Sequence, residues 1–150
     1  MSDDIEQEHI RMILTRVPQR RMDDCSICAT AMVLDYPYER VDEARSGAYL
    51  RYAASSSWWE HYLEDEGYHT EYLTLDQLDL VMTQGSNMAG LLHMQNHEIS
   101  GGHLVAIDEI GVLDPASRFP DHVSWQLYNN IKMQIQHFVF DTEFLAVSQR

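Results

Sequence analysis

One segment constrains this chain more than any other: Gln19-Arg20-Arg21-Met22-Asp23-Asp24-Cys25-Ser26-Ile27-Cys28-Ala29-Thr30-Ala31-Met32-Val33-Leu34. From Cys25 onward it is a run of small and apolar residues of helical length. Asp23 or Asp24 supplies an N-cap, so the helix is expected to begin at the cysteine itself. It should end near Leu34, because Tyr36 precedes Pro37 and the residue before a proline is pushed out of the helical region. A thiol at a helix start lies beside unpaired backbone N–H groups and the positive end of the helix dipole. Both favour thiolate over thiol, the form that attacks carbonyl carbon.

The rest of the chain divides into helices first and strands later. Short helices are expected near Ile5 to Leu14, over Glu39 to Arg45 with a stop at Ser46-Gly47, over Trp58 to Glu66 before Gly67, and over Leu75 to Thr83. Strands are expected at Tyr68 to Leu73, Met88 to Met94, Gly102 to Ile107 and Val112-Leu113. The alternating stretch Gln134 to Phe140 and the segment Phe144 to Val147 complete them. This order predicts an α+β fold, with N-terminal helices packed on a C-terminal antiparallel sheet. Trp58, Trp59 and Tyr62 share helical spacing and read as core more than as the lining of a groove.

Composition narrows the function. At 150 residues the chain suffices for one domain, 1–150, that buries about two-thirds of its unfolded surface without staples. The 24 acidic residues against 10 basic ones, with Lys132 the sole lysine, give a net charge of −14. Clustered cations are what a phosphate backbone requires, so nucleic acid is not an expected partner. The same acidity argues against an anionic membrane surface, and most of it reads as a solvated surface. The first residues are acidic and lack an apolar stretch of signal-peptide length, and no segment is long enough to span a bilayer. Two cysteines only three positions apart exclude a long-range disulfide within the chain. The expected location is the cytoplasm, or an exported state reached without a conventional signal peptide.

Three further residues suit a reaction at Cys25. His103 opens the aliphatic strand run Leu104-Val105-Ala106-Ile107, which would hold an imidazole rigidly as a general base. Asp114, in Leu113-Asp114-Pro115, could orient that ring and select its tautomer. Hairpin parity tests the pairing. A two-residue turn at Asp108-Glu109 places His103 directly opposite Asp114, whereas a four-residue loop, Asp108 to Gly111, makes them diagonal neighbours on one face. An odd-length loop would separate them. Gln19, six residues before the thiol, is placed to supply an amide donor.

Cys25-Ser26-Ile27-Cys28 also matches a C-x-x-C pattern. A redox pair should follow a buried strand, and Arg20 to Asp24 is highly polar. Zinc would need His93 and His97 as further ligands, but His93 falls in a strand, where residues four apart diverge. Cys28 therefore reads as a packing residue, and no metal or organic cofactor is expected.

Taken together, Gln-x5-Cys opening a helix, a glycine-preceded His-Leu-Val-Ala-Ile strand and Leu-Asp-Pro resemble the papain-like cysteine peptidases. The match is nearest to the bacteriocin-processing, leader-cleaving branch and spans roughly Pro18 to Pro115. The resemblance implies a Cys25 nucleophile, a His103 base, an Asp114 orienter, and an oxyanion hole formed by Gln19 and the Cys25 backbone N–H. A peptide or protein substrate would be cleaved at a peptide, isopeptide or amide bond. Acyl transfer, deamidation, or a non-catalytic peptide-binding module on the same fold are the alternatives. A glycine commonly follows the nucleophile in that family. Here Ser26 stands in its place, and its side chain is expected to narrow access to the thiol.

Overall fold

The computed structural model describes residues 13–21, 23–51, 58–84, 88–96, 102–116, 121–136 and 140–149. Helix α1 (Cys25–Leu34) is followed by α2 (Tyr38–Arg51), α3 (Trp58–Asp65), β1 (Tyr68–Leu73), α4 (Leu75–Gln84), β2 (Ala89–Asn96), β3 (Gly102–Asp108), β4 (Val112–Leu113), α5 (Trp125–Gln136) and β5 (Phe140–Gln149). The five strands form one antiparallel sheet in the order β1-β5-β2-β3-β4. The class is α+β, as the sequence predicts, but the layering differs.

Strand alternation sorts the core into two layers. Ala89, Leu91, Leu104, Ala106, Leu113, Leu145 and Val147 point to one face, where α1, α2 and α3 cover them with Ile27, Val41, Trp59 and Leu63. Leu92, Met94, Val105, Ile107, Val112 and Phe144 point to the other, beneath Leu78 of α4 and Trp125 and Tyr128 of α5. The Trp125 indole N–H donates to the Asp79 carboxylate, linking the two helices of this second layer. Helices thus cover both faces, because β3 and β2 are apolar on both. A fully buried leucine contributes about 2 kcal/mol, so either layer alone would leave half of this stabilisation unclaimed.

Local chemistry explains most element ends. Asp35 closes α1 in the left-handed conformation, with φ 56°, and Gly67 takes φ 92° between α3 and β1. Thr74 and Gln77 cap α4 reciprocally: the Gln77 N–H reaches Thr74 Oγ1 at 3.1 Å, and the Thr74 N–H reaches Gln77 Oε1 at 2.8 Å.

Two expectations need correction, and a third lies mostly outside the described residues. Helix α2 runs through Ser46-Gly47 to Arg51 instead of stopping there. Ser46 Oγ donates to the Asp42 carbonyl one turn back at 3.1 Å, and a single exposed glycine costs a helix only about 1 kcal/mol. The alternation from Gln134 is not a strand: residues 134–136 close α5, and β5 begins at Phe140. Ser124 starts α5, its Oγ accepting from the Leu127 N–H at 3.3 Å, and Trp125 with Tyr128 then turn one helical face onto the sheet. Of the helix expected near Ile5 to Leu14, only Ile13 and Leu14 fall among the described residues, and neither is helical.

Candidate active site

The β3–β4 hairpin sets the geometry. Its loop has four residues, Asp108 to Gly111, with Ala106 opposite Leu113 and Ile107 opposite Val112. The Asp108 N–H donates to the Gly111 carbonyl at 3.0 Å. Asp108 Oδ1 accepts from the N–H groups of Ile110, at 2.8 Å, and Gly111, at 3.2 Å. In this register His103 and Asp114 are diagonal neighbours on the face shared by Val105, Ile107 and Val112. Their side chains meet: His103 Nε2 lies 2.8 Å from Asp114 Oδ1.

Cys25 is the first residue of α1, and the rest of that helix packs on the opposite face of the sheet. The cysteine reaches His103 at the sheet's rim, where β4 has already ended. The His103 ring and the backbone N–H groups of Leu104 and Ser26 lie close enough to its sulfur to favour the thiolate. Because Asp114 occupies Nε2, Nδ1 is the nitrogen left for the sulfur. Burial opposes ionisation of the Cys25 thiol, but the His103 hydrogen bond, its charge and the two backbone N–H groups outweigh it, so the thiol pKa falls below its ordinary value. Burial likewise opposes the His103 cation, yet hydrogen bonds and charge from Asp114 and Cys25 raise its pKa. Both shifts favour a thiolate–imidazolium pair.

Asp114 is 1% exposed and fully engaged. Its Oδ1 also accepts from the Ala116 N–H at 2.9 Å, and its Oδ2 from the Tyr128 hydroxyl at 2.8 Å. Burial would raise the Asp114 pKa, but these bonds and His103 hold it below the ordinary value. Burial and the adjacent carboxylate push the Tyr128 phenol upward, fixing it as a donor. The Arg16 guanidinium spans the carbonyls of Asp114, Pro115 and Ala116 at 3.2, 3.2 and 2.6 Å. Sequence reasoning missed both Tyr128 and Arg16. The signal available for Tyr128 was its spacing three residues after Trp125 on an amphipathic helix; Arg16 acts across about a hundred positions of sequence and left none.

Gln19 is tied to the residues after β4 and to the turn before α1. Its backbone N–H donates to the Pro115 carbonyl at 2.9 Å, and its side-chain amide to the Arg21 carbonyl at 3.3 Å. Asp24 sits at the N-cap position, but its carboxylate makes no capping bond to the helix. It turns back instead, with Oδ2 accepting from the N–H groups of Arg20, at 3.0 Å, and Arg21, at 3.1 Å, and from the Tyr38 hydroxyl, at 2.8 Å. Burial would raise the Asp24 pKa, but these donors and the Gln19 amide lower it. This carboxylate fixes the turn that carries Gln19 toward the start of α1.

Ser26 does not close over the thiol. Its Oγ accepts from the Trp58 indole N–H at 3.3 Å, which ties it to the core. Trp58 and Trp59 are 7% and 6% exposed, so both are core residues, with Tyr62 half-buried at 6.0 Å from Trp58. Cys28 is buried, its Sγ donating to the Pro18 carbonyl at 3.5 Å, and burial with the charge of Asp24 pushes its pKa up to about 12. His93 packs edge-on against Trp59, while His97 lies outside the described residues. No group of metal-binding side chains occurs among the described residues, and no described helix is long and apolar enough to cross a membrane. Family models, curated proteins and solved structures all fail to match this chain.

Proposed function

We propose that this chain is a thiol hydrolase with a papain-like arrangement, acting on a peptide, isopeptide or related amide bond. The observation that carries the reading is the continuous line Cys25–His103–Asp114–Tyr128, in which an activated thiol, its imidazole and a buried, fully bonded carboxylate follow one another. The Cys25 thiolate attacks the substrate carbonyl carbon, and the negative charge moves to the carbonyl oxygen. The Cys25 backbone N–H stabilises that oxyanion together with the Gln19 amide, which turns from the Arg21 carbonyl to the substrate oxygen, a contribution of about 3 kcal/mol per donor. His103 then gives its proton to the leaving amine, the C–N bond breaks, and a thioester remains on Cys25. Neutral His103 next takes a proton from water, whose oxygen attacks the thioester and releases the acid and the thiolate. Asp114 keeps Nε2 protonated throughout, so Nδ1 is the atom that exchanges protons. The nearest resemblance, to leader-cleaving peptidases, makes a peptide the substrate to test first.

The experiment is a cleavage profile of a diverse peptide library by the purified chain beside its Cys25→Ala variant. Products formed by the wild type and absent from the variant support the proposal. A chain that cuts no peptide and whose Cys25 fails to react with iodoacetamide would overturn it.

A further inference from the structure

The proposed mechanism uses Cys25 and leaves Cys28 idle, although the two lie on one turn of α1. Cα atoms three residues apart in an α-helix are about 5 Å apart, inside the range a disulfide spans. Their Cβ atoms are about 5–6 Å apart, so closure requires the turn to give by roughly 1–2 Å. The first turn of a helix is where this is easiest, since its opening N–H groups have no intrahelical partners. Two observations bear on the Cys28 thiol. Its sulfur faces the Pro18 carbonyl in the segment that leads into α1, and negative charge on Cys25 is among the causes that oppose ionisation of Cys28.

We propose that Cys28 is a resolving cysteine, forming a reversible disulfide with Cys25 after a hydroperoxide has oxidised it. The inference rests on the functional reading of Cys25 as an activated thiol. In the first step the thiolate sulfur attacks a peroxide oxygen and the O–O bond breaks. The departing oxygen takes a proton and leaves as water or an alcohol, and Cys25, oxidised by two electrons, becomes a sulfenic acid. In the second step the Cys28 sulfur attacks the sulfenic sulfur and the S–O bond breaks. Hydroxide leaves, combining with the Cys28 proton to give water, and an S–S bond forms. An external dithiol then reduces the disulfide and is itself oxidised to one.

Charge on Cys25, after burial and Asp24, favours this order of steps. While Cys25 is a thiolate its charge helps keep Cys28 protonated and inert, so Cys28 does not compete for substrate. Conversion of Cys25 to a neutral sulfenic acid removes that opposing charge, and Cys28 becomes easier to ionise when it is needed. Without a resolving thiol the sulfenic acid would proceed to sulfinic acid, which thiols do not reverse.

The test treats the fully reduced chain with one equivalent of hydrogen peroxide and reads intact mass and peptide maps. The expected wild-type product has lost two hydrogen atoms and contains a Cys25–Cys28 linked peptide. Dithiothreitol should restore its starting rate of iodoacetamide labelling at Cys25. Cys28→Ala should instead gain oxygen atoms at Cys25 and fail to recover. Cys28→Ser, which keeps a donor for the Pro18 carbonyl, should behave in the same way if the alanine variant folds poorly. Wild type that accumulates the oxygen adducts at the variants' rate, or that forms only intermolecular dimers, overturns the inference. Fast iodoacetamide labelling of reduced Cys25 alongside that failure would leave the functional reading standing; slow labelling would overturn both.

Discussion

Removing the Tyr128 hydroxyl tests the structural logic of the site most directly. Tyr128→Phe keeps the ring and its packing but deletes the donor to Asp114 Oδ2, leaving one oxygen of a buried carboxylate unpaired. A hydrogen bond to a charged group contributes about 1.5–3 kcal/mol, so about 2 kcal/mol of stability should be lost. With a urea dependence of about 2 kcal/mol/M for a domain of this size, the unfolding midpoint should fall by about 1 M. The same loss moves the Asp114 pKa upward, because one of the bonds that hold it down is gone. The sign of the pH effect follows. The folded pKa of Asp114 lies below its ordinary value of 3.8, so its stabilising contribution is in place above that value. It is lost as pH falls through the folded pKa, and the gap between wild type and Tyr128→Phe should close over that range. Urea titrations followed by tryptophan fluorescence, at neutral pH and at steps below 3.8, provide the assay. A midpoint change smaller than about 0.2 M, or a gap independent of pH, would refute the claim that Tyr128 holds an ionised Asp114.

Other expectations follow from the same geometry. Cys25 should react with iodoacetamide much faster than Cys28 at neutral pH, because only its thiol pKa is lowered; equal labelling by mass spectrometry would remove Cys25 as nucleophile. In His103→Ala the rise of that labelling with pH should move to higher pH, since the imidazolium that favours thiolate is gone. Gln19→Ala should lower turnover by about 10²-fold with little change in the unfolding midpoint, and full activity would exclude an oxyanion role. Arg16→Ala should cost about 1–2 kcal/mol in urea unfolding, and Arg16→Lys should not restore it, because an ammonium cannot span three carbonyls as a guanidinium does.

What the sequence revealed was local. Helix α1 was legible from end to end, since a run of small apolar residues starts at Cys25 and a Tyr36-Pro37 pair follows it. Strand β1 was legible because Gly67 and the helix expected from Leu75 bracket it. The shared face of His103 and Asp114 was legible through parity, which needs only an even loop between two strands. Helix α5 was not, because Gln134 to Phe140 alternates like a strand while the Ser124 cap and the Trp125–Tyr128 spacing upstream decide the conformation. The two-sided layering was hidden for the same reason: without Trp125 and Tyr128 of α5, the cover over Val105, Ile107 and Val112 is incomplete.

The least legible part is also what brings the reacting groups together. Continuing the register of β3 and β4 by two positions sets Leu104 opposite Pro115, so the Leu104 N–H would ordinarily seek the Pro115 carbonyl. That carbonyl is taken instead by the Gln19 N–H and the Arg16 guanidinium from the lead-in segment. Pro115 has no N–H to return to the ladder, so β4 stops at Leu113. The edge of β3 is left open at Leu104, and the sulfur at the start of α1 occupies it. Asp114-Pro115 therefore has two effects: the aspartate orients His103, and the proline ends the strand that would otherwise cover the thiol's position. The lead-in segment couples both to Gln19, so a change at Arg16 should disturb the carboxylate and the proposed oxyanion donor together.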